Sequence, residues 1–221
     1  MKNLSLFLLF MLFVTAGKAQ STFVRFVTNK GNITVMLYDE TPAHRDMFLK
    51  SIKRGLYKNA AFNRVIKDFV SQGGELDDTI LNREKINPQL GAKRFPAEIK
   101  PSIFHKKGTL GAGRDDNPEK ASYFTQIYLV VGKKQTDDQL DAIEKKKNRK
   151  IPVAQREIYK EIGGTPHLDQ EYTIFGEIVE GMDVADAINS VATDKNDVPL
   201  KAVIFNPVVL SKKEALKLKR N

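Results

Sequence analysis

The sequence predicts a mainly β fold, a closed antiparallel barrel with two helices across its ends. Three observations carry this expectation. FVRFVTNKGNITVMLYDE alternates apolar and polar residues on both sides of Asn29-Lys30-Gly31-Asn32, which is a β-hairpin with turn residues in the right place. Strand-like runs dominate the rest of the chain and do not alternate regularly with helical patterns, which argues against a doubly wound parallel sheet. The chain then returns to a strand near its end, KAVIFNPVVL, as a closing barrel requires.

The elements follow in order. In TPAHRDMFLKSIKRGLY, Thr41 can cap a helix and Pro42 suits its first position. Met47, Phe48, Ile52 and Leu56 recur at helical spacing, and Gly55 fits the stop. FNRVI and FVSQGG read as two strands. Residues 76–101 read as a long loop, broken by Asn87-Pro88, Phe95-Pro96 and Lys100-Pro101. GTLGAG is a short glycine-rich strand or turn, and FTQIYLVVG is a strand by its alternation and β-branched content. From Thr136 the pattern becomes helical and strongly charged, and Pro152 opens a second such stretch, so a helical insert is expected near 134–165. YTIFGEIVEG is a strand, MDVADAINSV an amphipathic helix, and residues 212–221 a basic tail.

Composition bounds the function. The 221 residues contain no cysteine and are 41% hydrophobic and 29% charged, which suits one domain that folds on its core alone. The formal net charge of +9 is compatible with nucleic acid, an anionic membrane surface or acidic partners. No pattern organises the lysines for specific nucleic-acid recognition, and a solvated basic surface accounts for them. Residues 1–19 have the layout of a secretory signal peptide: Lys2, an apolar run from Leu4 to Val14, and small residues at Gly17 and Ala19. The run is too short for a membrane span, so no span is expected after cleavage. The expected location is periplasmic or secreted, with the folded domain over 20–211 acting as a monomer. His44, His105 and His167 show no metal-binding spacing, and no nucleophile motif or phosphate loop stands out. An enzyme built on this chain is expected to use no metal, no cofactor and no covalent intermediate.

One stretch resists a purely structural reading. FNRVIKDFVSQGGE places Arg64 in the middle of an apolar strand, where an unpaired charge is costly to bury. Either the side chain snorkels to water or it is aimed at something. The same stretch resembles the signature of the cyclophilins, a family of peptidyl-prolyl cis–trans isomerases, whose usual form is Phe-His-Arg-Val-Ile followed by Phe-Met-Ile-Gln-Gly-Gly-Asp. FVTNKGNITVMLYDETPAH, GTLGAGR, FTQIYLV and HLDQEYTIFGEIVEGMDV resemble further segments of that family, in the same order.

The resemblance implies an eight-stranded barrel capped by two helices and a groove that binds proline-containing peptides and unfolded exported chains. It assigns Arg64 as the donor to the proline nitrogen. Gln72 and Gln126 are expected to bind the substrate backbone and hold Arg64. Phe69, Val70, Tyr128 and Leu168 are expected to form the proline pocket. Gly113 and Arg114 would offer backbone hydrogen bonds to the preceding residue, and Tyr172 stands where many members carry a histidine. Departures from the pattern are Asn63 for His, Val70 for Met, Phe124-Thr125 for Gly-Ser, His167 for Trp and Gln170 for Gly. A bulky Phe124 is expected to alter the groove wall. With the long charged insert it leaves open a second reading, a catalytically weak cyclophilin-like module or chaperone that grips proline-containing segments or unfolded chains.

Overall fold

The computed structural model describes residues 21–218; the expected leader, residues 1–19, lies outside them. Strands β1 (Thr22–Thr28) and β2 (Gly31–Leu37) form the opening hairpin. They are followed by β3 (Ala60–Val65), β4 (Val70–Gly74), β5 (Thr109–Ala112), β6 (Gln126–Val130), β7 (Ile174–Glu180) and β8 (Val203–Val209). The strands close into one barrel in the order β1-β2-β7-β5-β6-β4-β3-β8, with β8 returning to β1. Every pairing is antiparallel. The expected fold class is therefore the observed one.

Alternation sets the interior. Val24 and Phe26 of β1, Ile33, Val35 and Leu37 of β2, and Phe62, Leu110, Phe175 and Phe205 point inward and are almost fully buried. Helices α1 (Pro42–Lys53) and α5 (Met182–Asn189) add Phe48, Ala185 and Ile188 to this core. Phe48 packs edge-on against Phe175 and Tyr57, with ring centroids 5.4 and 5.3 Å apart. Such pairs stabilise a core somewhat beyond the area they bury.

Three local expectations need correction. Residues 76–101 are not all loop: α2 (Asp77–Ile86) lies within them. Only Ile80 of α2 is buried, so the apolar periodicity that identifies a helix is nearly absent. Thr41 does not cap α1 with its side chain. The carboxylate of Glu98, 54 residues beyond His44, accepts instead from the backbone N–H groups of Ala43 and His44 at 3.0 and 2.7 Å, and from His44 Nδ1 at 2.6 Å. An anion at a helix start satisfies free N–H groups and meets the positive end of the helix dipole. The third concerns the strand FTQIYLVVG: β6 begins only at Gln126, and Phe124 and Thr125 lie outside it.

The charged segment after Thr136 forms α3 (Asp137–Lys147) and α4 (Val153–Glu161). Thr136 and Gln139 make a reciprocal capping box at the start of α3. Leu140, Ile151 and Tyr159 give this pair a small core of its own, joined by Phe104 and Ile143. A last helix, α6 (Lys212–Leu218), occupies the described part of the basic tail. No described helix is long and apolar enough to cross a membrane.

Two predictions follow from how the helices hold the barrel. Asn189 of α5 is 2% exposed; it accepts from the Asp68 amide at 2.9 Å and donates to the Ile66 carbonyl and Ser71 Oγ at 3.0 and 3.1 Å. It thereby clamps the turn between β3 and β4. Asn189→Ala is expected to destabilise the chain by about 2–3 kcal/mol, read from urea unfolding.

The second concerns acid. Burial holds the His44 imidazole below its ordinary value of 6.5, more than the neighbouring Glu98 raises it. Burial pushes the Glu98 carboxyl up, but hydrogen bonds from the His44 ring and from the His44 and Ala43 amides leave it below its ordinary 4.5. Both groups bind protons more readily in the unfolded chain, so both contributions are present at neutral pH. His44's is lost as pH falls below about 6.5, and Glu98's as pH falls below about 4.5. Glu98→Gln should lower the urea midpoint at pH 7 and flatten its decline below pH 4.5.

Candidate active site

The register of the barrel brings the expected residues together. Arg64 on β3 pairs with Gln72 on β4, Gln72 with Tyr128 on β6, and Tyr128 with Gly111 on β5. These four positions form one row across four strands. Val70 and Gln126 lie on the same strands two residues away from Gln72 and Tyr128, so the pleat turns them to the same face. Phe69 ends the turn before β4, and Leu168 and Tyr172 come from the segment that leads into β7.

All of these side chains, together with Gly113 and Arg114, line one groove of about 160 Å³. Its apolar wall is a cluster of Val70, Tyr128 and Val130, with Phe69, Leu168 and Tyr172 packed on it. Phe69 stacks on His167 at 5.3 Å, so the histidine extends the wall where the family's tryptophan is expected. Burial holds the His167 ring below its ordinary pKa, and the Lys147 charge acts in the same direction. A neutral ring suits an apolar wall. Tyr172 meets the Tyr128 ring edge-on at 5.9 Å.

Arg64 points out of the barrel, and 42% of its side chain is exposed. Its charge partner is Asp197, with Nη2 and Oδ2 3.7 Å apart. The same residue's carbonyl accepts from the Val65 amide at 2.8 Å, which fixes the loop beside the strand. At 3.7 Å the contact is too long for a good hydrogen bond, so the guanidinium keeps donors for a ligand. The arginine neither breaks the core nor wanders at the surface: it stands at the groove's edge.

Two expectations change: the hold of the amides on Arg64 and the free backbone of Gly113. Among the described residues no hydrogen bond joins Gln72 or Gln126 to Arg64. Gln126 instead donates to Asp77 Oδ1 at 2.5 Å and to the Glu75 carbonyl at 3.1 Å. The Gly113 amide donates to the Gln126 carbonyl at 2.9 Å, and the Gly113 carbonyl accepts from Tyr123 at 2.8 Å. Gly113 therefore supplies a flat wall, and its backbone is engaged within the protein. A Cβ there would lie 1.9 Å from Gln126 Oε1, so only glycine lets that amide sit where it does. The Arg114 guanidinium donates to the carbonyls of Glu171 and Asp115, both at 2.7 Å, and lies over the Tyr172 ring at 4.7 Å. It lines the groove and braces the Tyr172 ring.

Phe124 does not alter the groove wall. It is 40% exposed, packs edge-on against Phe95 at 5.5 Å, and lines two neighbouring cavities instead. The larger of these, about 510 Å³, lies against α2. The grip-without-turnover reading therefore gains no support from Phe124.

Asp77 is the groove residue that sequence reading missed. It lines the cavity and fixes the amide of Gln126. The available signal was the polarity of its helix: Asp77 and Asp78 open it, and Arg83 and Lys85 close it. No described group of three or more His, Cys, Asp or Glu side chains is placed to hold a metal ion.

Comparison with known proteins agrees with this geometry. The family model "Cyclophilin type peptidyl-prolyl cis-trans isomerase/CLD" matches residues 23–208. A Staphylococcus epidermidis protein described as a peptidyl-prolyl cis-trans isomerase is 30% identical over 185 residues, covering 82% of this chain and 87% of that one. A Streptococcus pyogenes protein described as a bifunctional phosphatase/peptidyl-prolyl cis-trans isomerase is 29% identical over 203 residues. The match takes in 84% of this chain but 38% of that relative, so this chain spans well under half of its length. Among solved structures, a Cryptosporidium parvum cyclophilin type peptidyl-prolyl cis-trans isomerase superimposes with a TM-score of 0.62 at 21% identity, covering 87% of this chain and 99% of that one. The same protein has also been solved in the presence of the dipeptide Ala-Pro. The matched span takes in every barrel strand from Phe23 to Val208 and every residue of the groove, and this chain belongs to the cyclophilin-type peptidyl-prolyl cis–trans isomerase family.

Proposed function

We propose that this chain speeds rotation about Xaa-Pro bonds in exported proteins, with Arg64 as the donor that stabilises the twisted amide. The observation that carries the reading is the single groove that gathers Arg64, Gln72 and Gln126 with the apolar wall around Tyr128. Export rests on the N-terminal pattern of Lys2, the Leu4–Val14 run and Ala19.

The chemistry follows from the bond. Rotation breaks amide resonance and has a barrier of about 18–20 kcal/mol. Uncatalysed exchange takes tens to hundreds of seconds, slow enough to limit folding. No bond is made or broken, so a catalyst must bind the twisted amide better than either planar form. In the twisted state the proline nitrogen regains a lone pair. A fixed cationic donor beside it acts on that state alone. Arg64 meets the requirement because its guanidinium is always charged and its partner Asp197 is held at 3.7 Å. The proline ring would rest on Tyr128, Val70 and Phe69, a surface that offers it apolar contact. Gln126, oriented by Asp77, keeps its Oε1 as an acceptor for the substrate backbone, since an amide both donates and accepts.

Two outcomes are expected. Arg64→Ala should lower kcat/KM for a short Ala-Pro peptide by about a hundredfold or more while changing peptide affinity little, measured by exchange NMR. Equal rates in the two chains would remove Arg64 from the mechanism. The second outcome concerns Gly111, above which the Tyr128 ring lies: a Cβ there would be 2.2 Å from the ring carbon that bears the hydroxyl. Gly111→Ala should push Tyr128 out of place, costing about 1–3 kcal/mol of stability and weakening peptide binding as well. Calorimetry of unfolding and of peptide binding reads the two effects separately.

A further inference from the structure

A buried polar chain runs from the groove floor to the helical insert. The Tyr128 hydroxyl lies 2.8 Å from His105 Nε2, and His105 Nδ1 lies 2.9 Å from Asp169 Oδ1. The Tyr159 hydroxyl of α4 reaches the same carboxylate at 2.9 and 2.8 Å. Arg149, in the link between α3 and α4, is 3.9 Å from its other oxygen and also donates to the Pro166 carbonyl at 3.2 Å. Tyr128, His105, Asp169 and Tyr159 are 4%, 1%, 3% and 0% exposed. They come from four separate stretches of sequence, and isomerisation as described uses only the first.

With a neutral His105 ring the chain runs in one direction. Asp169 accepts from the His105 amide at 2.8 Å as well as from the ring and from Tyr159. A buried carboxylate needs such donors. With His105 Nδ1 donating to Asp169, Nε2 is left as an acceptor, and the Tyr128 hydroxyl donates to it. Burial, reinforced by the nearby Asp169, raises the pKa of both tyrosines, so both stay protonated and able to donate. The Tyr128 proton is therefore turned away from the groove, and the proline meets the ring. The His105 ring lies parallel to the Tyr128 ring, within 7°, and Tyr172 stands edge-on to both. His105 and Tyr172 together hold the tyrosine.

The far end is anchored equally firmly. Tyr159 belongs to the insert's own core with Leu140 and Ile151. Its ring packs on Gly164, where a Cβ would lie 2.7 Å from Tyr159 Cε1, and the Thr165 amide returns to the His105 carbonyl at 2.8 Å. Any shift of α4 therefore moves a partner of Asp169.

We propose that the helical insert sets the position of the proline-pocket floor, with Tyr159, Asp169 and His105 acting as positioning residues for Tyr128. The inference rests on the reading that the proline ring rests on Tyr128. It gives the insert a role in substrate affinity from a site that touches no substrate.

The test is a double-mutant cycle read by peptide affinity. Tyr159→Phe removes one hydroxyl far from the groove. It should weaken binding of an Ala-Pro peptide by about threefold or more in the parent chain and have no further effect in the Tyr128→Phe chain, which lacks the hydroxyl at the other end. The loss should fall on KM and leave kcat nearly unchanged. Equal losses in both backgrounds, or no loss in the parent, would overturn the proposal. Arg149→Gln offers a milder break at the same carboxylate and should show the same dependence on Tyr128. The unmodified chain supplies a check that depends on no variant folding. Ring ¹⁵N shifts of His105 should show a protonated Nδ1 and a bare Nε2, and the opposite tautomer would break the chain at its centre. A parent that binds the peptide without speeding its exchange would remove the catalytic reading and leave this test standing. A parent that does not bind it would overturn both.

Discussion

Strand β4 is the piece on which the rest of the groove depends. It lies between β3 and β6, and its pairing aligns Arg64, Gln72 and Tyr128 in one row. A slip of one residue would send Gln72 to the opposite face and separate the arginine from the apolar wall. Two glycines hold the register. A Cβ on Gly73 would strike Phe205 of the core at 2.7 Å, and one on Gly74 would lie 1.9 Å from the Thr125 carbonyl. Gly74 also takes a positive φ of 96°, a conformation that favours glycine. The Gly-Gly of FNRVIKDFVSQGGE is therefore a packing requirement that also serves the site. Asn63, two strands' width from Thr125, donates to the Gly74 carbonyl at 2.6 Å and closes the same corner.

Around this rigid row the accessory parts are held largely by charge. Arg94 is ion-paired to Glu84 of α2 and to Asp115, both at 2.5 Å, and lies over the Tyr123 ring at 4.5 Å. Arg83 of the same helix pairs with Glu75, whose carboxylate also accepts from Thr125. Opposed to burial, those partners hold the Glu75 carboxyl below its ordinary range. Helix α2 thus reaches the groove through Asp77 while contributing only Ile80 to any buried surface. The insert is organised in the same way, with Arg156 bridging Asp137, Asp141 and Glu144 beside its small core. Exposed pairs of this kind contribute little one by one, and more when shared carboxylates join them into networks.

This division explains what could be read from the sequence. The barrel and the groove residues were legible because their signals are local. Alternation over a few residues marks each strand, and the motif from Phe62 to Glu75 carries Arg64, Phe69, Val70 and Gln72 within a single hairpin. The misses depend on partners outside the local pattern of their own element. Glu98 caps α1 across 54 residues, so Thr41, adjacent and of the right type, looked like the cap. Helix α2 is fixed by Arg94 and Glu75 rather than by an apolar stripe. The engagement of Gly113 and the outward turn of Phe124 depend on where β5, β6 and Phe95 meet, which no local pattern records. His105 looked like an isolated histidine because its partners stand 23 and 64 residues away.

Closure of the barrel has one more consequence. A sheet with a free edge presents a row of unpaired N–H and C=O groups, and an unfolded chain can add to it as a further strand. Here β8 pairs with both β1 and β3, so the eight-stranded sheet has no such edge. On the proposed function, a proline-containing chain would meet the side chains of the groove instead, one proline at a time. Such a surface does not template cross-β growth, which makes it a safe one to expose to chains that have not yet folded.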